Sequence, residues 1–158
     1  MAIRVKQEHV ESIYQHGERE YPRECCGFLL GVNTDGVNLL GEVYPAQNVW
    51  EKESHYLAAG EADEAKKSES KLNRYLITPD QYRQADAYAR ERGYGIIGYY
   101  HSHPDHPAAP SGYDLDHSCW PGESYIIVSI QQGKAATLNS FTKPDYTEFE
   151  QEDVLIEE

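Results

Sequence analysis

The chain has 158 residues, a length that suits one domain built on one hydrophobic core, and we expect residues 1–158 to form that domain. Its formal net charge of −13 at pH 7 argues against sequence-independent nucleic-acid binding, which needs Lys and Arg opposite phosphates. No apolar run approaches the roughly 20 residues that cross a bilayer, and charged residues follow Met1 too soon for a secretory signal peptide. We therefore expect a cytoplasmic protein that binds neither nucleic acid nor membrane, and its oligomeric state stays open.

The first part of the chain is predicted to contain one helix and a pair of strands. Residues 6–21 carry apolar side chains at helical spacing, and Pro22 ends that pattern. The apolar run 25–32 and the segment 39–44 have strand length and are separated by turn residues, which predicts a hairpin. The polar segment 48–73, rich in Glu, Lys, Ser and Ala, is predicted to be a mobile loop.

A second helix is predicted after a brief strand at 74–77. Thr78 and Pro79 are typical of the N-cap and of the first position of a helix. The helix should run to about Arg92, because Gly93 can take the left-handed conformation that commonly follows a helix.

Three more apolar runs of strand length follow, each bounded by turn residues. They lie at 96–100, 125–130 and 135–141. In the acidic tail 148–158, residues 154–156 are predicted to form an edge strand whose charged neighbours discourage further pairing. This order of elements predicts an α/β (α+β) fold in which helices flank one mixed β-sheet.

Two histidines directly follow the predicted strand at 96–100. Because His101 and His103 are two residues apart on a strand, their side chains leave the same face, and Pro104 ends the strand beside them. Asp114 lies on the first turn of the next predicted helix, and the loop between can bring its carboxylate toward the imidazoles. Two imidazoles and one carboxylate, with a fourth position open, are ligands that catalytic zinc uses, although the same set suits iron.

Other interpretations of these residues remain open. An isolated pair of histidines on a strand is more often a surface pair than a metal site, and Ser111 with Asp114 has the spacing of a helix capping box. His106 and His117 are alternative ligands, since His117 follows Asp114 by about one helical turn. His106, however, lies in the loop, where no rigid element holds it.

The order and spacing of these residues resemble the signature of the JAMM family, the MPN-plus (Mov34/MPN/PAD-1-like) zinc metalloproteases. The segment His101–Pro104, followed by Ser111 and Asp114, matches every signature position of that family. Glu24, which precedes a glycine-containing apolar strand, looks like the glutamate that the family places upstream. The resemblance covers most of the chain, from Glu24 to about Phe141. Within the family, the chain is most similar to the small stand-alone prokaryotic members.

The resemblance implies a cytidine-deaminase-like fold and a Zn²⁺ ion bound by His101, His103 and Asp114, with water in the fourth position. It also implies that Glu24 is the general base that deprotonates this water and then the acid that protonates the leaving amine. Ser111 would donate a hydrogen bond to the carbonyl oxygen of the substrate as negative charge develops there.

For function, the resemblance implies a metallopeptidase or isopeptidase that hydrolyses an amide bond at the C-terminus of a ubiquitin-like or sulfur-carrier protein. The extended tail of such a carrier would add to a strand edge near His101. Two alternatives are a metal-dependent hydrolase of small amides or peptides and a non-catalytic MPN scaffold protein. Scaffold members typically lack a histidine, the aspartate or the glutamate, all of which are present here.

The three cysteines and Ser102 receive no catalytic role. Cys25 and Cys26 adjoin Glu24, but a catalytic cysteine needs a base within hydrogen-bond reach, and the available imidazoles are assigned to the metal. We expect free thiols, because the count is odd and no C-x-x-C pair occurs, with one of the adjacent pair packed in the core. No role is predicted for Cys119. Ser102, between the two histidines, should point the other way and be structural.

Overall fold

Two helices and seven strands make up the part of the chain that the computed structural model describes, which comprises residues 1–48, 77–110, 122–144 and 148–158. In chain order the elements are β1 (Ala2–Lys6), α1 (Gln7–Glu20), β2 (Cys26–Thr34), β3 (Val37–Ala46), α2 (Pro79–Glu91), β4 (Gly95–Pro104), β5 (Ser124–Gln131), β6 (Lys134–Thr142) and β7 (Glu150–Glu157). The predicted loop 48–73 lies outside the described residues except for Asn48, as does the predicted strand 74–77 except for Ile77. Neither described helix combines the length and the apolar character needed to span a membrane.

The strands form one mixed sheet that closes on itself in the order β1-β3-β2-β4-β5-β6-β7. β2 runs antiparallel to both β3 and β4, whereas β4 is parallel to β5 and β1 is parallel to β3. β7 pairs antiparallel with β6 and parallel with β1, which closes the barrel. The predicted α/β class is confirmed, and the strand pairs predicted as β2 with β3 and β5 with β6 are both present.

Residues 154–156 lie in a strand, as predicted, but this strand is the longer β7, which belongs to the closed sheet. Its residues 150–152 pair with β6, whereas residues 154–156 pair with β1 alone. β1 was not predicted from the sequence, because the alternation of apolar and charged side chains that is typical of a strand covers only five residues there. Its apolar residues Ile3 and Val5 are nevertheless buried in the core. The partner of residues 154–156 is therefore a strand whose sequence pattern is too short to stand out.

α1 packs on the face of the sheet that carries the larger hydrophobic core. Val10 and Ile13 of the helix lie in this core with side chains of β1, β4 and β5. Gly17 lies so close to β5 that a Cβ atom there would be 2.7 Å from the Cδ1 atom of Ile130. The helix agrees with the predicted range 6–21 within one residue at each end.

α2 packs on the opposite face, where Phe28 of β2 meets Ala85 of the helix. Thr78 caps the helix, since its Oγ1 atom accepts a hydrogen bond from the backbone N–H of Gln81 at 3.2 Å. Gly93, just past the end of the helix, has a φ angle of +76°, which a residue with a side chain rarely adopts. The predicted start and end of this helix are confirmed.

The close approach of β4 to β5 depends on the glycine at position 98. A Cβ atom at Gly98 would lie 1.9 Å from the carbonyl oxygen of Ser124, a backbone atom that cannot move without displacing β5. At Gly95, on the same strand, an added Cβ atom would have no neighbour within 4 Å. Position 98 therefore constrains strand packing, whereas position 95 does not.

Gly98→Ala should lower the free energy of unfolding by at least the roughly 1–3 kcal/mol typical of overpacking, because β4 and β5 must separate to admit the methyl group. Gly95→Ala is the matched control and should change the free energy of unfolding by less than about 0.5 kcal/mol. Urea denaturation of the two variants and the parent protein measures both effects. Equal stability of the two variants would contradict the close packing of these strands.

Candidate metal centre

The end of β4 places two imidazoles side by side. His101 and His103 share one face of the strand, as their spacing predicts, and the residues are 3% and 8% exposed. Their Nε2 atoms are 3.1 Å apart, and the ring planes are inclined to each other by 58°. The pair therefore directs two nitrogen atoms into one small space that is almost closed to solvent.

A backbone carbonyl determines which nitrogen of His103 carries the proton. The Nδ1 atom of His103 lies 2.9 Å from the carbonyl oxygen of Pro107. Because a carbonyl oxygen only accepts hydrogen bonds, Nδ1 is the donor, and the neutral ring presents the lone pair of Nε2. An imidazole that donates from its outer nitrogen to a carbonyl oxygen is typical of a metal ligand.

The loop that carries Pro107 is itself anchored. Asp105, at a φ angle of +58°, accepts one hydrogen bond from the hydroxyl of Tyr21 at 2.6 Å and another from the backbone N–H of Gln132 at 2.7 Å. These bonds connect the loop to the end of α1 and to the β5–β6 turn. The carbonyl that orients His103 is thus held by a fixed backbone.

Glu24 is the third member of the group. It is only 4% exposed, although carboxylates are rarely buried to this extent. One ligand atom from each of Glu24, His101 and His103 lies within 4.8 Å of the others. The structure thus brings together three of the five residues predicted for the site, from segments that are distant in sequence.

Hydrogen bonds hold the backbone next to this carboxylate. The N–H of Cys25 donates to the Oγ atom of Ser102 at 2.8 Å, and the side-chain amide of Asn48 donates to the carbonyl of Glu24 at 3.0 Å. The N–H of Ser102 donates to the carbonyl of Cys25 at 3.1 Å. Ser102 is fully buried and points away from the side of the two histidines, as predicted, and it faces α1. The contact of Asn48 has no signal in the sequence, because a single asparagine after a strand predicts no particular partner.

This group of buried side chains could hold a metal ion. Its donor atoms are two imidazole nitrogens and one carboxylate oxygen, a set that suits zinc and also iron. Burying such polar groups in one space is unfavourable unless hydrogen bonds or a cation compensate them. Glu24 has a position that suits either of two roles, direct ligand or proton acceptor beside the ion.

The remaining candidates from the sequence are four residues outside the described part of the chain and His106. Ser111, Asp114, His117 and Cys119 lie in residues 111–121, outside the described part of the chain, and their roles stay predictions. His106 is described and its side chain is exposed, away from Glu24 and the other two histidines. Its carbonyl oxygen accepts a hydrogen bond from the hydroxyl of Ser129 at 2.6 Å. His106 therefore contributes backbone, and not its imidazole, to the structure around the site.

The two cysteines next to Glu24 are buried thiols. Cys25 and Cys26 are 1% and 0% exposed, and both are free. Burial raises the pKa of the Cys25 thiol to about 12 and raises the pKa of Cys26 well above its usual value. Both therefore stay protonated at neutral pH and serve as core residues, which confirms and extends the prediction that one of them packs in the core.

His101 itself has a strand partner on both sides. His101 pairs with Cys26 of β2 on one side and with Ile127 of β5 on the other. The pairing with β2 extends no farther than His101, so the addition of a substrate tail at a strand edge near this residue stays a prediction.

A protein-family model matches most of the chain. It is the model for prokaryotic homologs of the JAB domain, and it matches residues 6–142. This range extends from the start of α1 through β6 and contains all five residues predicted for the site.

A curated relative from Haloferax volcanii is also similar to the chain. That protein is named desampylase and is 27% identical over 123 residues, which cover 75% of this chain and 74% of the relative.

Solved structures resemble the chain over nearly its whole length. A protein from Salinibacter ruber is 38% identical with a TM-score of 0.70, and the match covers 98% of this chain and 92% of that one. A protein from Desulfitobacterium hafniense is 24% identical with a TM-score of 0.77, covering 99% and 93%. A JAB1/MPN domain protein from Archaeoglobus fulgidus is 15% identical with a TM-score of 0.56, covering 99% and 97%. At these low identities the last two show the shared fold alone.

Proposed function

Because the chain belongs to the family of prokaryotic homologs of the JAB domain, we propose that it is a zinc-dependent metallopeptidase or isopeptidase of the JAMM type. Its reaction is the hydrolysis of an amide bond at the C-terminus of a ubiquitin-like or sulfur-carrier protein. The observation that carries this proposal is the buried group of Glu24, His101 and His103 at the end of β4. The similarity to a desampylase supports the substrate class, since that name refers to removal of a ubiquitin-like modifier from conjugates.

In this proposal His101, His103 and Asp114 would hold the zinc ion. The two imidazoles fit the ion because they are buried and adjacent, and because His103 presents the lone pair of Nε2 while its Nδ1 donates to Pro107. Asp114 is assigned from the sequence signature, and its carboxylate would complete a three-ligand set. When bound, the zinc ion would supply Lewis acidity, which lowers the pKa of water far below its value in bulk solvent, toward about 7.

Glu24 moves the proton in this reaction. A carboxylate oxygen of Glu24 takes a proton from the attacking water and delivers it to the nitrogen of the leaving amine. Because Glu24 is buried, bulk water does not compete with it for the proton. Its position near the imidazole nitrogens suits a proton transfer beside them. Ser111 donates a hydrogen bond to the carbonyl oxygen of the substrate as charge develops, a contribution typically worth about 3 kcal/mol.

We also propose that residues 1–158 act as one domain in the cytoplasm. The pairing of β1 with β7 supports a single unit, because it joins the first and last described strands in one sheet. The buried free thiols of Cys25 and Cys26 fit a reducing compartment.

The purified protein should carry about one zinc ion per chain, and His103→Ala or Asp114→Ala should lose most of it, because tight binding needs three protein ligands. His106→Ala is the matched control and should keep its zinc, since the imidazole of His106 is exposed in the loop that follows. Elemental analysis after dialysis against metal-free buffer without chelator measures all four proteins. A parent protein that binds no metal when offered zinc would rule out the metal site, as would equal loss in His103→Ala and His106→Ala.

Glu24→Gln should keep its zinc but reduce turnover by about 10²-fold or more, because glutamine preserves the shape of the side chain and cannot accept a proton. Glu152→Gln, which alters a glutamate that is 6% exposed in β7, is the matched control and should leave turnover unchanged. Metal content and kcat are measured for both variants. Loss of zinc from Glu24→Gln would make Glu24 a ligand, and a near-parental rate would remove it from the mechanism.

A carrier protein ending in Gly-Gly-X should release X, and tails ending in Gly-Ala-X or Ala-Gly-X should react much more slowly, because side chains at those positions would collide with the walls of a narrow site. Mass spectrometry of the released X measures the three rates, and a zinc chelator should abolish all of them. Equal cleavage of the three tails, or activity on free dipeptides alone, would indicate a small-amide hydrolase. A zinc-loaded protein that cleaves none of them would indicate a scaffold.

A further inference from the structure

The peptide group that joins Glu24 to Cys25 is held at both of its polar atoms by side chains. Its N–H, which belongs to Cys25, donates to the Oγ atom of Ser102 at 2.8 Å. Its carbonyl, which belongs to Glu24, accepts from the side-chain amide of Asn48 at 3.0 Å. Both side chains are buried, Ser102 at 0% exposure and Asn48 at 5%. The plane of this one peptide is therefore fixed by two contacts that are almost closed to water.

Side chains make these contacts because the strand ladder stops just short of them. The pairing of β2 with β4 ends at Cys26 and His101. The next pair along the two strands is Cys25 and Ser102. The N–H of Ser102 still donates to the carbonyl of Cys25 at 3.1 Å. The N–H of Cys25, however, donates to the hydroxyl of Ser102 and not to a backbone carbonyl. Ser102 thus binds the backbone of Cys25 with both its main chain and its side chain.

Asn48 is in turn fixed by α2. The side chain of Gln81 binds the backbone of Gln47 twice, accepting from its N–H at 2.6 Å and donating to its carbonyl at 2.9 Å. The N–H of Gln81 itself binds the hydroxyl of the helix cap Thr78 at 3.2 Å. A short series of hydrogen bonds therefore leads from the first turn of α2 through Gln47 and Asn48 to the carbonyl of Glu24.

We propose that Ser102 and Asn48 are positioning residues that clamp the Glu24–Cys25 peptide and thereby aim the Glu24 carboxylate at the reacting water. This inference rests on the proposed function, in which Glu24 transfers the proton. The orientation of a peptide plane sets the direction of the Cα–Cβ bond of the residue before it, so release of either atom lets the carboxylate shift. A displacement of about 1 Å in an active site can cost on the order of 10²-fold in rate.

The side chain of Ser102 lies on the opposite side of β4 from the imidazoles of His101 and His103. Ser102 faces α1, where its Cβ atom would lie 3.6 Å from a Cβ atom added at Gly17. Loss of its hydroxyl removes no group from the space between the imidazoles, so metal content should hold while proton transfer slows. This separation of effects distinguishes a clamp on Glu24 from a general role in holding β4.

The chain offers a matched control for Ser102. Ser124 of β5 is also 0% exposed, and its Oγ atom likewise accepts a 2.8 Å hydrogen bond from a buried N–H group, that of the Asn38 amide. It lies at the opposite end of the β4–β5 pairing from His103. Ser102→Ala and Ser124→Ala therefore remove comparable buried hydrogen bonds, and only the first of these bonds is next to Glu24.

The test compares zinc content, unfolding midpoint, KM and kcat for Ser102→Ala, Asn48→Ala and Ser124→Ala. All three should be somewhat destabilised, whereas kcat should fall about 10- to 100-fold in the first two only, with KM and zinc content held. Ser102→Thr, which retains the hydroxyl, should recover most of the lost kcat. In a Glu24→Gln background Ser102→Ala should cause no further loss, because it acts through Glu24. An equal fall in kcat for Ser102→Ala and Ser124→Ala, or an additive loss in the Glu24→Gln background, would overturn the proposal.

The rigidity of the Glu24–Cys25 peptide can also be measured without turnover. A failure of the proposed clamp is then distinguishable from a failure of the proposed function. Amide hydrogen exchange at Cys25, followed by NMR under native conditions, should be at least about 10-fold faster in Ser102→Ala than in the parent and unchanged in Ser124→Ala. Unchanged exchange at Cys25 in Ser102→Ala would overturn the clamp even if the enzyme is active. Faster exchange in a protein that cleaves no carrier would retain the clamp as structure and reject its role in catalysis.

Discussion

β4 lies between β2, which runs antiparallel to it, and β5, which runs parallel, and the site depends on the register of that pairing. Because side chains alternate between the faces of a strand, a shift of one residue would turn His101 and His103 toward α1 and bring Ser102 to the site face. Gly98 opposes such a shift, since either of its neighbours would set a Cβ atom against the carbonyl of Ser124. The histidines, the clamp on Glu24 and the packing of both helices all follow from this one register.

The parts of the arrangement that depend on adjacent residues could be predicted from the sequence. The shared face of His101 and His103 follows from their spacing, and the start of α2 follows from Thr78 and Pro79. The approach of Glu24 to the histidines could not be derived in this way, because no periodicity relates segments so far apart, and only the family resemblance indicated it. The closure of the barrel could not be predicted for the same reason, because β7 pairs with β1, a five-residue strand at the other end of the sequence.

Burial makes the site costly to form without a cation. Glu24, His101 and His103 are each less than one-tenth exposed, and transferring polar groups from water is unfavourable unless they find partners. Hydrogen bonds such as that from His103 to the Pro107 carbonyl offset part of this cost. A bound cation would offset more of it, which couples metal affinity to the stability of the fold around β4. The same close packing that raises the cost also holds the three side chains in place before any ligand arrives.

The closed sheet has a kinetic consequence. β1 and β7 pair from Ala2 with Asp153 to Lys6 with Glu157, so nearly the whole chain separates the partners, and joining them carries a large loop-closure entropy. The hairpins β2–β3 and β5–β6 join neighbouring segments and should form first, with closure last. Until then β1, β6 and β7 expose unpaired backbone groups that can pair with other copies of the chain. During that interval the acidic side chains of β7 repel those of other copies, and this repulsion keeps unfinished chains apart.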